Sequence, residues 1–137
     1  MTKKEKGVLK VTVIEAKNLK DEDKLGKSDP YVKLMIEGKK EQTTVKSGDL
    51  NPTYNEEFLF DIDGEKSLKL EVWDKDHIGK DDLIGKNDVK LSHVISKGSE
   101  DIWVTMREHT IGRNRGERKC NVGITPTPTH GLGDGDD

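Results

Sequence analysis

Asp74, Asp76 and Asp82 fall at n, n+2 and n+8 within the stretch Trp73-Asp-Lys-Asp-His-Ile-Gly-Lys-Asp-Asp-Leu-Ile-Gly85. Residues two apart on an extended chain point the same way, so Asp74 and Asp76 converge on one point. Asp82 returns after a turn through His77-Ile78-Gly79. Three carboxylates crowded on one loop repel each other unless a cation lies between them, and hard oxygen donors suit Ca²⁺ best. A second acidic stretch, Asp21-Glu-Asp23-Lys-Leu-Gly-Lys-Ser-Asp29-Pro-Tyr31, also carries spaced acids on a glycine-containing loop that feeds a strand. Neither loop alone has enough ligands for calcium. Facing each other at one end of a sheet sandwich, they supply Asp23, Asp29, Asp74, Asp76 and Asp82.

The loops need strands to hold them. Leu9, Val11 and Val13 alternate with polar residues, as do Val32, Leu34 and Ile36, then Phe58, Phe60 and Ile62, then Leu68, Leu70 and Val72. A period of two with β-branched and aromatic residues is the signature of a half-buried strand. Eight strands are expected, over residues 8–16, 31–36, 41–46, 53–62, 67–73, 83–91, 102–106 and 118–125, with a helical turn at Leu91 to Ser96. The third is polar and plausible only with one face in water. In the second, Tyr31, Lys33 and Met35 are expected to face outward. Glu37-Gly38, Ser47-Gly48-Asp49 and Asp63-Gly64 mark turns between them. Many short strands and no long helix point to an all-β fold, an eight-stranded antiparallel Greek-key β-sandwich.

Composition bounds the rest. The chain has 137 residues, enough for one domain with a real core. Charged residues make up 37% and hydrophobic residues 30%, so that core must be lean and well patterned. A net charge of −3 argues against a nucleic-acid polycation. Cys120 is the single cysteine, which excludes an intrachain disulfide and suits the cytosol; its alternation with Val122 and Ile124 marks it as a core thiol. The opening Met1 to Lys6 has no apolar region after it, so no signal peptide is expected. No run approaches the ~20 apolar residues of a spanning helix. Residues 1–6 are expected to form a polar segment, 7–125 the domain, and 126–137 a disordered acidic tail.

Other chemistries fit poorly. Asp74, Asp76 and Gly79 match positions 1, 3 and 6 of an EF-hand loop, but position 12 is Gly85 instead of a bidentate Glu, and the flanks are strands. An Asp-x-Asp phosphatase needs a parallel sheet with helices. Ser28 lacks a nucleophile-elbow context. His77, His93, His109 and His130 show no ligand spacing.

Three segments together resemble the C2 domain family, the calcium-dependent phospholipid-binding module also found in protein kinase C and the synaptotagmins. They are Gly26-Lys-Ser-Asp-Pro-Tyr-Val-Lys33, Leu50-Asn-Pro-Thr-Tyr-Asn-Glu-Glu-Phe58, and Trp73-Asp-Lys-Asp76 followed by Asp82-Leu-Ile-Gly85, in the family's order and spacing. The match covers roughly residues 7–125. The resemblance implies that Asp23, Asp29, Asp74, Asp76 and Asp82 bind two or three Ca²⁺, with backbone carbonyls near Glu22 and Lys75 adding ligands. Gly79 stands where the family often has a serine or threonine ligand, which bears on the outermost ion. Only six residues precede Gly7, so the topology with its extra strand at the C-terminus, type II, is expected.

The resemblance also implies a function. Bound Ca²⁺ nearly neutralises the five carboxylates and leaves positions open to oxygens of anionic phospholipid, phosphatidylserine-like or phosphoinositide. Leu25 and Ile78 are expected to insert, Lys24, Lys27 and Lys80 to flank them, and Lys39 and Lys40 to meet head groups. The expected molecule is a monomeric, non-enzymatic, cytoplasmic module recruited to membranes when calcium rises. The alternative is a scaffold for protein partners, with calcium secondary.

Overall fold

The computed structural model describes residues 6–19, 28–108 and 120–128. Eight antiparallel strands and one short helix follow the order β1 (Lys6–Lys17), β2 (Pro30–Ile36), β3 (Lys39–Gln42), β4 (Thr53–Asp63), β5 (Ser67–Asp74), β6 (Asp82–Lys90), α1 (Leu91–Lys97), β7 (Ile102–Glu108) and β8 (Cys120–Pro128). In space they run β3-β2-β5-β6-β7-β8-β1-β4. The β6–β7 junction is thin, with only Gly85↔Glu108 and Lys86↔Arg107 paired. There the sheet divides into two four-stranded halves, β3-β2-β5-β6 and β7-β8-β1-β4.

Alternation decides what the halves bury. Leu9, Val11 and Val13 of β1, Val32, Leu34 and Ile36 of β2, Leu68, Leu70 and Val72 of β5, and Val122 and Ile124 of β8 are all essentially inaccessible and belong to one core. Both halves contribute, so their inner faces pack as a sandwich over that core. Cys120 lies fully buried in it. Leu91 and Val94, three apart, turn one side of α1 into the core, and Gly98 ends the helix at φ 79°. Among the described residues no helix is long and apolar enough to cross a membrane.

The C-terminal strand pairs with β1 on one side (Val13↔Ile124) and β7 on the other (Val104↔Val122), inside the sandwich as expected. It runs on to Pro128, so Pro126, Thr127 and Pro128 belong to a ladder and not to a tail. Pairing with β7 ends at Ile102↔Ile124. Beyond that point β8 has a single partner, where proline's missing N–H is tolerated.

The third strand is also displaced, to Lys39–Gln42 from the expected 41–46. Regular pairing stops because the Thr43 hydroxyl takes the Val32 N–H at 2.9 Å in place of a backbone carbonyl. Residues 43–46 still run beside β2, through Thr43 N–H to Val32 O (2.9 Å) and Lys46 N–H to Pro30 O (3.0 Å). Tyr31 departs from expectation too. It lies outside the core cluster, as alternation requires, yet is only 4% exposed. Its hydroxyl is bonded to Asp81, so the β5–β6 loop reaches across it.

The register puts three connections at one end. Pro30 opposes Asp74, Asp74 opposes Asp82, and Glu15 opposes Thr53. The β1–β2, β3–β4 and β5–β6 connections therefore leave the same edge of the sandwich.

Candidate functional site

Three of the predicted aspartates form a row across adjacent strands. Asp74 closes β5, Asp82 opens β6 directly opposite, and Asp29 precedes Pro30, which opposes Asp74 from β2. The backbone locks the first pair together. Asp29 N–H donates to Asp74 Oδ1 at 2.9 Å, and Lys75 N–H donates to Asp29 O at 3.0 Å. Tyr54 of β4 adds a brace by donating its hydroxyl to Pro30 O at 2.6 Å.

Asp74 is only 7% exposed. Burial pushes its carboxyl above the usual range, and the negative charges of Asp29 and Asp82 push it further. Hydrogen bonds from the Asp29 amide and the Ser28 hydroxyl act the other way without cancelling the rise. A buried carboxylate with two like charges beside it is the electrostatic signature of a site that a cation relieves. The donor set is all oxygen, which fits a hard divalent ion.

The remaining predicted residues divide between the described chain and the rest. Asp23, Glu22, Leu25, Lys24 and Lys27 lie outside the described residues. Asp76 is exposed; its Oδ1 accepts the Ile78 N–H at 3.0 Å, a tight turn that Gly79 completes at φ 93°. Ile78 stands 86% exposed at the end of that turn. Lys80 is exposed beside it, and Lys75 enters the site through its N–H. Among the described residues no three acids or imidazoles are already drawn together as a ligand set. Asp29 is turned toward Gly48 N–H (2.8 Å) and Ser47 Oγ (3.2 Å), and its Oδ2 lies 3.5 Å from His77 Nε2.

Lys39 and Lys40 are elsewhere. Both belong to β3, opposite Ile36 and Met35, five to six residues along β2 from Pro30. At about 3.3 Å per residue that is roughly 20 Å from the aspartate row. Lys39 Nζ bonds Glu65 at 2.9 Å and Asp61 O at 2.7 Å, tying β3 to the β4–β5 turn. Lys40 lines a cavity of about 400 Å³ with Met35, Glu37, Lys66, Ser67 and Lys69.

Two features escape a reading of the sequence. The β3–β4 connection touches Asp29 through Ser47 and Gly48, a contact between positions 18 and 19 apart. Asp81, beside the expected ligand Asp82, accepts the Tyr31 hydroxyl and, at 2.9 Å, the Asp76 N–H. The doublet Asp81-Asp82 was the only available signal, and it does not say which acid faces which way.

Residues 7–106 match the C2 domain family model. Extended synaptotagmin-1 of Mus musculus is 41% identical over 133 residues, covering 89% of this chain and 12% of that protein. Synaptotagmin-1 of Rattus norvegicus is 51% identical over 89 residues, 58% of this chain and 21% of that protein. The chain thus spans a small part of the relatives it matches. Among solved structures, the calcium-bound pair of C2 domains, A and B, of extended synaptotagmin 2 superposes with a TM-score of 0.78 at 28% identity, over 90% of this chain and 46% of that one. The A-type C2 domain of plant extended synaptotagmin 1 gives 0.74 at 28% identity, over 93% of this chain and 99% of that one. The family model covers most of the chain and the fold superposes on C2 domains of known structure, so the chain belongs to the C2 domain family.

Proposed function

We propose that the chain is a calcium-triggered peripheral membrane module that binds anionic phospholipid through Asp23, Asp29, Asp74, Asp76 and Asp82. The observation that carries this reading is the Asp29–Asp74–Asp82 row. Asp74 is buried, its carboxyl is raised by burial and by its neighbours, and the exposed Ile78 belongs to the same end of the fold. Calcium held there supplies positive charge and coordination positions that lipid phosphate or carboxylate oxygens complete. The relatives' calcium-bound structure supports the choice of ion.

The protein's own residues set the strength of attachment. Full burial of one side chain such as Ile78 is worth about 1.5–3 kcal/mol. Each lysine near an anionic leaflet, Lys80 among them, adds about 1 kcal/mol. Together these give weak, reversible contact, and the charge change at the aspartates acts as the gate. Lys39 and Lys40, far along the sheet, lie outside this contact when the domain stands on its loops. The module acts by binding rather than catalysis, on the cytoplasmic face of a membrane.

Liposome co-sedimentation with and without Ca²⁺ is the test. Vesicles containing phosphatidylserine should pellet the protein only with calcium, and Ile78→Asp should weaken pelleting severely while leaving calcium binding in solution nearly intact. Wild-type pelleting unchanged by chelator would overturn the calcium gate, and no pelleting under either condition would favour the scaffold reading instead.

A further inference from the structure

Asp81 is an acid inside the acidic loop, yet its surroundings differ from those of its neighbour. Successive residues at the start of a strand point to opposite sides. Asp82 therefore joins the row with Asp74, and Asp81 turns toward the outer side of β2. There it meets Tyr31, which opposes Trp73 in the β2–β5 ladder and is buried. One Asp81 oxygen accepts the Tyr31 hydroxyl; the other accepts the Asp76 amide. Asp76 in turn caps the Ile78 amide. A continuous chain of hydrogen bonds thus runs from a fixed strand residue to the exposed tip of the loop. The same two donors hold the Asp81 carboxyl below the ordinary carboxylate range.

We propose that Asp81 and Tyr31 are positioning residues, a staple that fastens the β5–β6 loop to β2 and sets where Asp76 and Ile78 stand, leaving the metal to Asp82. The inference deepens the calcium-binding reading and rests on it. Its physical content is preorganisation. A loop ordered by the fold does not have to be ordered when a ligand arrives, so affinity is spared that cost. Both Asp81 oxygens are already engaged by donors of the fold, whereas Asp82 stands exposed at the start of β6.

The test compares Tyr31→Phe, Asp81→Asn, the double variant and Asp82→Asn. Tyr31→Phe keeps the ring and removes only the hydroxyl. Asp81→Asn keeps one acceptor for the Asp76 amide and loses the second. Two readouts are taken: amide hydrogen exchange at Asp76 and Ile78 in calcium-free protein, and calcium affinity with stoichiometry by calorimetry. A hydrogen bond to a charged group is strong enough to shift a local opening equilibrium by about tenfold. Tyr31→Phe and Asp81→Asn should each speed exchange at those two amides by about that factor, with the core amide of Leu34 unaffected. Each should weaken calcium binding by a similar factor with the number of ions unchanged, and the double variant should be little worse than either. Asp82→Asn should damage calcium binding while those amides exchange as in wild type. Wild-type exchange in Tyr31→Phe overturns the staple. A lost ion in Asp81→Asn overturns it too, by making Asp81 a ligand. A wild type that takes up no calcium overturns the metal reading alone, because the exchange comparison is made without calcium.

Discussion

Replacing Asp74 with asparagine is expected to raise the stability of the calcium-free protein, although the residue is buried and hydrogen-bonded. The side chain changes little in shape. Its remaining carbonyl oxygen still accepts the Asp29 N–H, now held at 2.9 Å. What disappears is a negative charge, 7% exposed, set against Asp29 and directly opposite Asp82. Charged cross-strand pairs are worth roughly 0.2–1 kcal/mol each, unfavourable when the signs match. Two such neighbours give about 1 kcal/mol, or about 4 °C in melting temperature for a domain of this size. Calcium reverses the order. At ~100 times the dissociation constant it adds about 2.7 kcal/mol per site to wild type, and much less to a variant lacking a central ligand. The two melting curves should therefore cross between chelator and millimolar calcium. The pH dependence carries the same sign. Because the native carboxyl is raised above its unfolded value, the native state keeps a proton that the unfolded state has lost. Stability from this group is full below the unfolded value and is lost as pH rises through the folded one. Asp74→Asn should remove that decline. Differential scanning calorimetry over pH 4–8, with chelator and with calcium, measures all of this. A calcium-free variant that melts at or below wild type at neutral pH would refute the reasoning.

Two further predictions concern the frame. A Cβ at Gly85 would sit 3.1 Å from Arg107 O and 3.2 Å from Met106 Cβ, at the two-pair junction between the halves. Gly85→Ala should cost about 1–3 kcal/mol in urea unfolding, as overpacking does, and an unchanged midpoint would show that the junction yields. Removing residues 107–137 leaves the span matched by the family model but deletes β8, with Cys120, Val122 and Ile124 from the core and the partner of both β1 and β7. That chain should show no cooperative unfolding transition; a folded product of equal stability would contradict the role given to β8.

Much of this molecule was legible in the sequence because period-two alternation is a local property. It placed β1, β2, β4 and β5 and their core faces, and turn residues marked the connections. The spacing of Asp74, Asp76 and Asp82 suggested an oxygen-donor site by the same local reasoning; the fold sets Asp74 opposite Asp82, while Asp76 lies past the end of β5 and caps the Ile78 N–H. Cys120 read correctly as a core thiol from its neighbours alone. Other features depend on what lies across the fold. Residues 43–46 carry the polarity of an edge strand, but whether a ladder continues there depends on the Thr43 hydroxyl meeting Val32, a partner 11 positions away. Pro126 and Pro128 look like a tail until β1 is seen beside them, with β7 already ended. Tyr31 alternates outward and is still buried, with its hydroxyl bonded to Asp81 of the β5–β6 loop, 50 positions away. Alternation says which side of a strand a residue faces; only the packed structure says whether that side meets water. The raised carboxyl of Asp74 is the same case. Each aspartate is written in the sequence, but the repulsion among Asp29, Asp74 and Asp82 exists only because three strands end in register side by side.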